Sequence, residues 1–175
     1  NLVANDHSLD AIRVATTSPL AELSGLVASG AGQSGIVIEG QILRLSDSRA
    51  TDNAEHGFLL GNLATATSDA FVERLEAARN RYGITAGTTF GRIFLGSADL
   101  ALARGSSVHD NRLVGIQAGG NVTAAGNAVF GQPDPGSIGI LAGAINSSGI
   151  PGNASGSEIL EHSQAIARRF DIYRD

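Results

Sequence analysis

Cysteine, methionine, tryptophan and lysine are all missing from this chain. Without cysteine there are no disulfides and no thiolate metal sites, and the redox compartment stays open, because repeat folds manage without covalent staples. Without lysine there is no Schiff-base or amine-base chemistry, so any cationic catalyst is one of twelve arginines. Aromatics supply only 5% of the residues, which leaves the core to small and aliphatic side chains in repetitive layers. No apolar run approaches the length of a membrane span, and no signal-peptide pattern opens the chain. The net charge of -5 and a pI near 5.3 exclude the basic surface of a general nucleic-acid binder. A chain that begins Asn1-Leu2-Val3 and holds no methionine is expected to be a fragment of a longer protein.

Glycine is plentiful, 23 residues in 175, and much of it sits in a phrase that returns. The phrase is a residue, usually glycine, then an apolar residue, any residue, an apolar residue and often a second glycine. Gly35-Ile36-Val37-Ile38-Glu39, Gly57-Phe58-Leu59-Leu60-Gly61, Gly115-Ile116-Gln117-Ala118-Gly119 and Gly139-Ile140-Leu141-Ala142-Gly143 are its clear copies. The steps are 22 residues (35 to 57), 58 (57 to 115) and 24 (115 to 139). The long step calls for a hidden copy. Gly83-Ile84-Thr85-Ala86-Gly87 would split it into 26 and 32, and Arg92-Ile93-Phe94-Leu95-Gly96 into 35 and 23. The second is preferred, because it keeps a regular step and confines the excess to one insertion. Ala11-Ile12-Arg13-Val14-Ala15 is an earlier, weaker copy, making six candidate rungs.

Two apolar positions two residues apart are one face of a short strand. Stacked at about 4.8 Å per rung, Ile12, Ile36, Phe58, Ile93, Ile116 and Ile140 form one inward ladder, and Val14, Ile38, Leu60, Leu95, Ala118 and Ala142 a second. Gln117, between two of them, points outward. The glycine column Gly61, Gly96, Gly119 and Gly143 reads as a tight corner. Second strands are expected at Ile42 to Leu45, Leu100 to Ala103 and Asn121 to Ala124. Third strands fall at Ser48 to Asp52, Ser107 to Asp110 and Ala128 to Phe130. The fold class is therefore all-β, a single-stranded right-handed parallel β-helix of about five to six rungs.

The spacing, the Gly-Ile-x-Leu strands and the turn asparagines of Thr51-Asp52-Asn53, His109-Asp110-Asn111 and Gly126-Asn127 resemble the pectate-lyase-like right-handed β-helix superfamily, over roughly 11–145. That resemblance implies an architecture and no single activity, since the fold serves lyases, glycosidases, epimerases, phage tailspikes, adhesins and spacers. No catalytic residue carries over. The Asn-Thr-Asp, Asp-Asp, Gly-His-Gly and Arg-Ile-Lys elements of polygalacturonases are absent, and so is the Asp-Pro-His-Asp element of alginate epimerases.

Two segments stand outside the repeat. Over about 69–82, Phe71, Leu75, Ala78 and Tyr82 share one stripe, with Ser68 or Asp69 as N-cap and Gly83 as the stop, which predicts an inserted amphipathic helix lying on the coil. Over about 157–175, Ile159, Ile166 and Phe170 at near-helical spacing and the alternating Phe170-Asp171-Ile172-Tyr173 predict a helix and a short strand that cap the open end. The whole is expected to be one domain, 1–175, with its coil at about 11–145.

The densest polar groups are Asp52, Asn53, Glu55 and His56, and His109, Asp110, Asn111 and Arg112. Asp52, Asp110 and Asp134 each lie five residues before a repeat glycine and so share an expected column. Paired carboxylates beside a histidine and an arginine are what acid–base cleavage of a polysaccharide requires, so Asp110, Asp134, His109 and Arg112 are the catalytic candidates. The competing explanation is structural: Asp and Asn before a strand are ordinary turn formers, and Gln132-Pro133-Asp134-Pro135-Gly136 is a turn by composition. His56 and His109 fall on different columns with no third ligand at suggestive spacing, so no metal is expected, and no cofactor. The expected function is a non-catalytic structural or interaction module of a secreted, surface or phage-tail-like assembly. Its partners would be other chains or the rest of its own polypeptide at the coil ends, and polysaccharide, the outer strip near Gln117 and Arg92 being one possible glycan face. The alternative is a carbohydrate-active enzyme, a lyase or glycosidase.

Overall fold

The computed structural model describes residues 2–61, 63–64, 69–96, 105–125, 127–135 and 137–142, and the backbone of short strands at 158–159, 164–165 and 172–174. Every regular element among them is a β-strand, and every strand pairing is parallel. The chain winds as a parallel β-solenoid of about five turns with three faces to each rung. Face A stacks β1 (Leu2–Asn5), β4 (Leu26–Ser29), β7 (Arg49–Thr51), β10 (Glu76–Ala78), β12 (Ser107–His109), β14 (Ala128–Phe130) and β17 (Gln164–Ala165). Face B stacks β2 (Ile12–Leu20), β5 (Ile36–Ile42), β8 (His56–Gly61), β11 (Tyr82–Gly96), β13 (Val114–Ala125), β15 (Ile138–Ala142) and β18 (Ile172–Arg174). Face C consists of β3 (Leu23–Ser24), β6 (Arg44–Ser46), β9 (Ala70–Glu73), β16 (Glu158–Ile159) and the far halves of β11 and β13, which bend round the corner from face B.

Alternation along each strand places one row inside and one outside, and in-register stacking turns the inner rows into ladders. On face B, Ile12, Ile36, Phe58, Ile84, Ile116 and Ile140 are partners in succession, followed by Val14, Ile38, Leu60, Ala86 and Ala118. Face A supplies small residues, Ala28, Ala50, Ala77, Val108 and Val129. Face C supplies Leu23, Leu45, Val72 and Leu95. Large side chains of one wall thus meet small ones of another, and they make one continuous core. Each fully buried Ile, Leu or Phe contributes roughly 1.5–3 kcal/mol.

The ladder differs from the expected one at a single rung. Ile84, not Ile93, stands between Phe58 and Ile116, and the phrase around Ile93 lies further along the same strand, on face C. The face B steps are therefore 22, 26, 32 and 24 residues (35, 57, 83, 115, 139). The extra residues fall between strands, from Gly61 to Ala70 and from Gly96 to Ser107, so regular spacing was the wrong criterion. Among the expected corner glycines, Gly96 has a left-handed φ of 86°. Gly61 and Gly119 instead flank Gly87 in register inside face B, and Gly143 lies outside the described residues. The strands expected at 48–52, 107–110, 121–124 and 128–130 are present, and the one expected at 42–45 is broken at Leu43, between the end of β5 and the start of β6; 100–103 lies outside the described residues.

The inserted helix over about 69–82 is not formed. That stretch is β9, β10 and the start of β11. Phe71, Leu75, Ala78 and Tyr82 do recur at helical spacing, but Ala70, Val72 and Ala77 recur at strand spacing, and these three are completely buried while Phe71 is 45% exposed. Arg74 and Arg79 adopt left-handed φ of 53° and 57° and turn the chain twice. Pairing on both sides satisfies the backbone and overrides helical propensity. In the expected cap, β16, β17 and β18 pair with β13, β14 and β15 and continue the three faces. Ile172–Arg174 supplies the expected short strand, 158–159 and 164–165 are strand and not helix, and the rest of the cap lies outside the described residues.

Candidate functional site

The corner from face A to face B carries the polar residues nominated above, in two adjacent columns. The outer column is Asp6, Gly30, Asp52, Arg79, Asp110 and Gly131, all left-handed with φ between 55° and 69°. The next residue along forms the inner column, where Asn53, Asn80 and Asn111 are buried. Asn53 Nδ2 donates to Asn80 Oδ1 at 2.8 Å, and Asn80 Nδ2 to Asn111 Oδ1 at 3.0 Å. The backbone N–H groups of Ala31, Asn53 and Asn80 each donate at 3.0 Å to the asparagine Oδ1 one rung on. The repeat glycines make room for this ladder: a Cβ on Gly57 would lie 2.7 Å from both Asn80 Nδ2 and the Gly83 carbonyl oxygen.

Outside, charges are matched between rungs. Arg79 Nε and Nη2 donate to the two carboxylate oxygens of Asp52, both at 2.7 Å. Arg74 holds Asp47 in the same bidentate way at the other end of the same two strands. Between them Arg49 meets Glu76 at 2.6 Å. The strand β7 with its corners thus reads minus, plus, minus, and β10 reads plus, minus, plus. The hydrogen bonds from Arg74 hold the Asp47 carboxyl down at about 2, and those from Arg79 lower Asp52. Elsewhere Arg13 pairs with Asp10 and Glu39, Arg44 with Glu73, Arg81 with Glu55, and Arg92 with Asp69.

The four catalytic candidates do not converge. Asp110 lies in the outer column with Asp52, but Arg79 stands between them and Gly131 occupies the place on Asp110's other side. Asp134 is three residues beyond Gly131, because the loop from β14 to β15 is longer than the one from β12 to β13. The expected approach of Asp110 to Asp134 at one strand spacing is therefore not made. Asp110 and His109 form one group: His109 Nδ1 is 2.8 Å from Asp110 Oδ2, its Nε2 is 4.0 Å from Glu76, and its ring stacks on Phe130 at 5.0 Å. Arg112 and Asp134 form another, lining a shallow depression of about 320 Å³ with Ala54, Glu55, Arg81 and Leu113.

Of the remaining polar residues, His56 is engaged and the buried Gln117 Oε1 has no hydrogen-bond partner among the described residues. His56 is buried, with Nδ1 2.9 Å from Thr85 Oγ1 and its ring stacked on Tyr82 at 4.8 Å, and burial lowers its pKa. Gln117 does fall in the outward row of face B, yet it is only 9% exposed, and its register partner Thr85 is buried as well. Arg92 lies on face C, so the two do not share a strip. No group of three or more metal-ligating side chains occurs among the described residues. No described helix is long and apolar enough to cross a membrane.

Two features escaped sequence reasoning. The Asp47-Arg49-Asp52 and Arg74-Glu76-Arg79 triplets repeat at 27 residues with inverted charge; reading 69–82 as a helix concealed them. Asn80, the middle of the asparagine ladder, was concealed in the same way. Compared with protein-family models, curated proteins and solved structures, the chain matches none.

Proposed function

We propose that this solenoid is a structural and interaction module, working as part of a secreted, surface or phage-tail-like assembly and not as a free-standing enzyme. The observation that carries the proposal is the use made of its charges: seven of the eight arginines with described side chains are paired with carboxylates, most of them one rung away. Those acids and bases are committed to one another across the rungs and are not left free for a substrate. The resemblance to pectate-lyase-like β-helices is compatible with such a role, since that architecture includes spikes and adhesins. Partners are expected at the open edge of β1, β2 and β3, each of which is paired on one side among the described residues. There Leu2, Val3 and Leu9 are more than half exposed, and unpaired backbone groups invite a further parallel strand, from another chain or a neighbouring segment of the polypeptide. Sedimentation with and without substitution of Val3 by Asp tests it: association that the substitution abolishes is the expected result, and a monomer that binds no chain and no glycan overturns it.

The runner-up is a carbohydrate-active enzyme, favoured by one observation. His109 is held between Asp110 and Glu76 with part of its ring open to solvent, an arrangement suited to general acid–base work. Release of reducing ends or unsaturated uronates from a polysaccharide panel, lost in Asp110→Ala, would replace the structural reading with this one.

A further inference from the structure

Arg112 is the arginine left over. It forms no ion pair among the described residues. Its side chain reaches back two rungs, where Nη2 donates to the Ala54 carbonyl at 3.2 Å, and the rest of its donor fork is unused. Asp134 is likewise without an ion-pair partner; its backbone carbonyl accepts from Ser137 at 3.1 Å while the residue itself stays exposed. Both line the same depression and do not pair with each other. The other charges there, Glu55 and Arg81, neutralise one another at 3.1 Å. The hollow therefore presents one uncompensated cation, one uncompensated anion and, between them in the chain, the 36% exposed side chain of Leu113. In a molecule that matches its other described arginines to carboxylates, two unmatched charges around one cavity describe the complement of a ligand.

We propose that this depression binds a small zwitterion of about dipeptide size, its carboxylate on the Arg112 fork, its ammonium on Asp134 and an apolar side chain over Leu113. A planar carboxylate fits a guanidinium edge bidentately. Arg112 and Asp134 sit on successive rungs, and the guanidinium reaches away from Asp134, so the two charges are separated by more than the roughly 4.8 Å of one rung. The charged ends of a dipeptide stand farther apart than those of a single α-amino acid, which suits a gap wider than one rung. The volume of about 320 Å³ is at the small end of ligand pockets, roughly 300–1,000 Å³. The inference is independent of the structural role, and its failure would leave the assembly experiment untouched.

The test is a titration of the full chain, followed by amide chemical shifts, with three probes: the dipeptide Ala-Leu, its N-acetyl form and its C-terminal amide. Ala-Leu is expected to shift the amides of Arg112 and Leu113 with a millimolar Kd. Blocking either end should weaken it by roughly three- to fivefold, the range of exposed ion pairs. Arg112→Gln should erase the difference between Ala-Leu and its amide, and Asp134→Asn the difference between Ala-Leu and its N-acetyl form. Because the blocked probes act on the unaltered protein, the result does not depend on how the variants fold. Equal binding of all three probes overturns the proposal, as does the absence of any shift. Shifts produced by glucuronate and not by Ala-Leu overturn it in favour of a sugar-acid site.

Discussion

Two columns climb the same corner one residue apart, Asp52, Arg79 and Asp110 outside and Asn53, Asn80 and Asn111 inside, and they do different work with similar chemistry. The side chains of Asp52 and Arg79 are about half exposed, at 49% and 53%, so water competes for every bond and the pair is weak despite good geometry. The asparagines are at most 2% exposed. Their amides are closed off from water, Asn80 and Asn111 also donating to the Ala50 and Ala77 carbonyls, and each bond is expensive to lose. The inner column therefore fixes the corner and the outer one tunes its register.

The sharpest way to break that contrast is Asn80→Ala. It leaves Asn53 Nδ2 and its backbone N–H without an acceptor and should cost about 3 kcal/mol or more, read from the midpoint of denaturant unfolding; a loss under about 1 kcal/mol would sink the ladder as a stabilising element. Gly57→Ala comes next, since its methyl must displace Asn80 or the Gly83 backbone, at about 1–3 kcal/mol. A pH series probes the buried side from another direction. Burial depresses the His56 pKa below 6.5 in the folded state, so the unfolded chain takes up the proton first. Stability should be full above pH 6.5, decline as pH falls through and below that value, and lose this component in His56→Gln. The smallest effect belongs outside: Arg79→Gln should cost no more than about 1 kcal/mol and less still in high salt. Asp47 and Asp52 are carboxylates with lowered folded pKa values. Their contribution should be complete above the ordinary carboxylate range and fade as pH falls, for Asp47 toward about 2; an unchanged acid limb in Asp47→Asn would show that the outer pairs add nothing.

The architecture was legible wherever a rung announced itself twice over. Ile36, Phe58, Ile116 and Ile140 have both the alternation and a glycine before it, and each was placed correctly. Ile84 has both too, yet an assumption of even spacing displaced it, because rung length is decided by corners that carry no periodic signal. The stretch 69–82 misled for a different reason: the outward Phe71 fell by chance on one helical stripe with the buried Leu75 and Ala78, and only the neighbouring strands reveal which apolar residues are inside. Asp52 and Asp110 were correctly assigned to one column. Asp134 was not, since a count back from Gly139 cannot register three additional loop residues. The grouping of Arg112 with Asp134, Glu55 and Arg81 depends on a side chain reaching across two rungs, which no linear spacing encodes.

The corners also differ in how much chain they hold. From face A to face B the link stays short at the asparagine rungs, between Thr51 and His56, Ala78 and Tyr82, and His109 and Val114, while the passages from Gly61 to Ala70 and from Gly96 to Ser107 are long. The asparagine corner is thus the closed side of the solenoid. A foreign peptide grafted for display, or a fluorescent tag, does not belong on that side. At Asp52–Glu55 it would have to thread past the ladder.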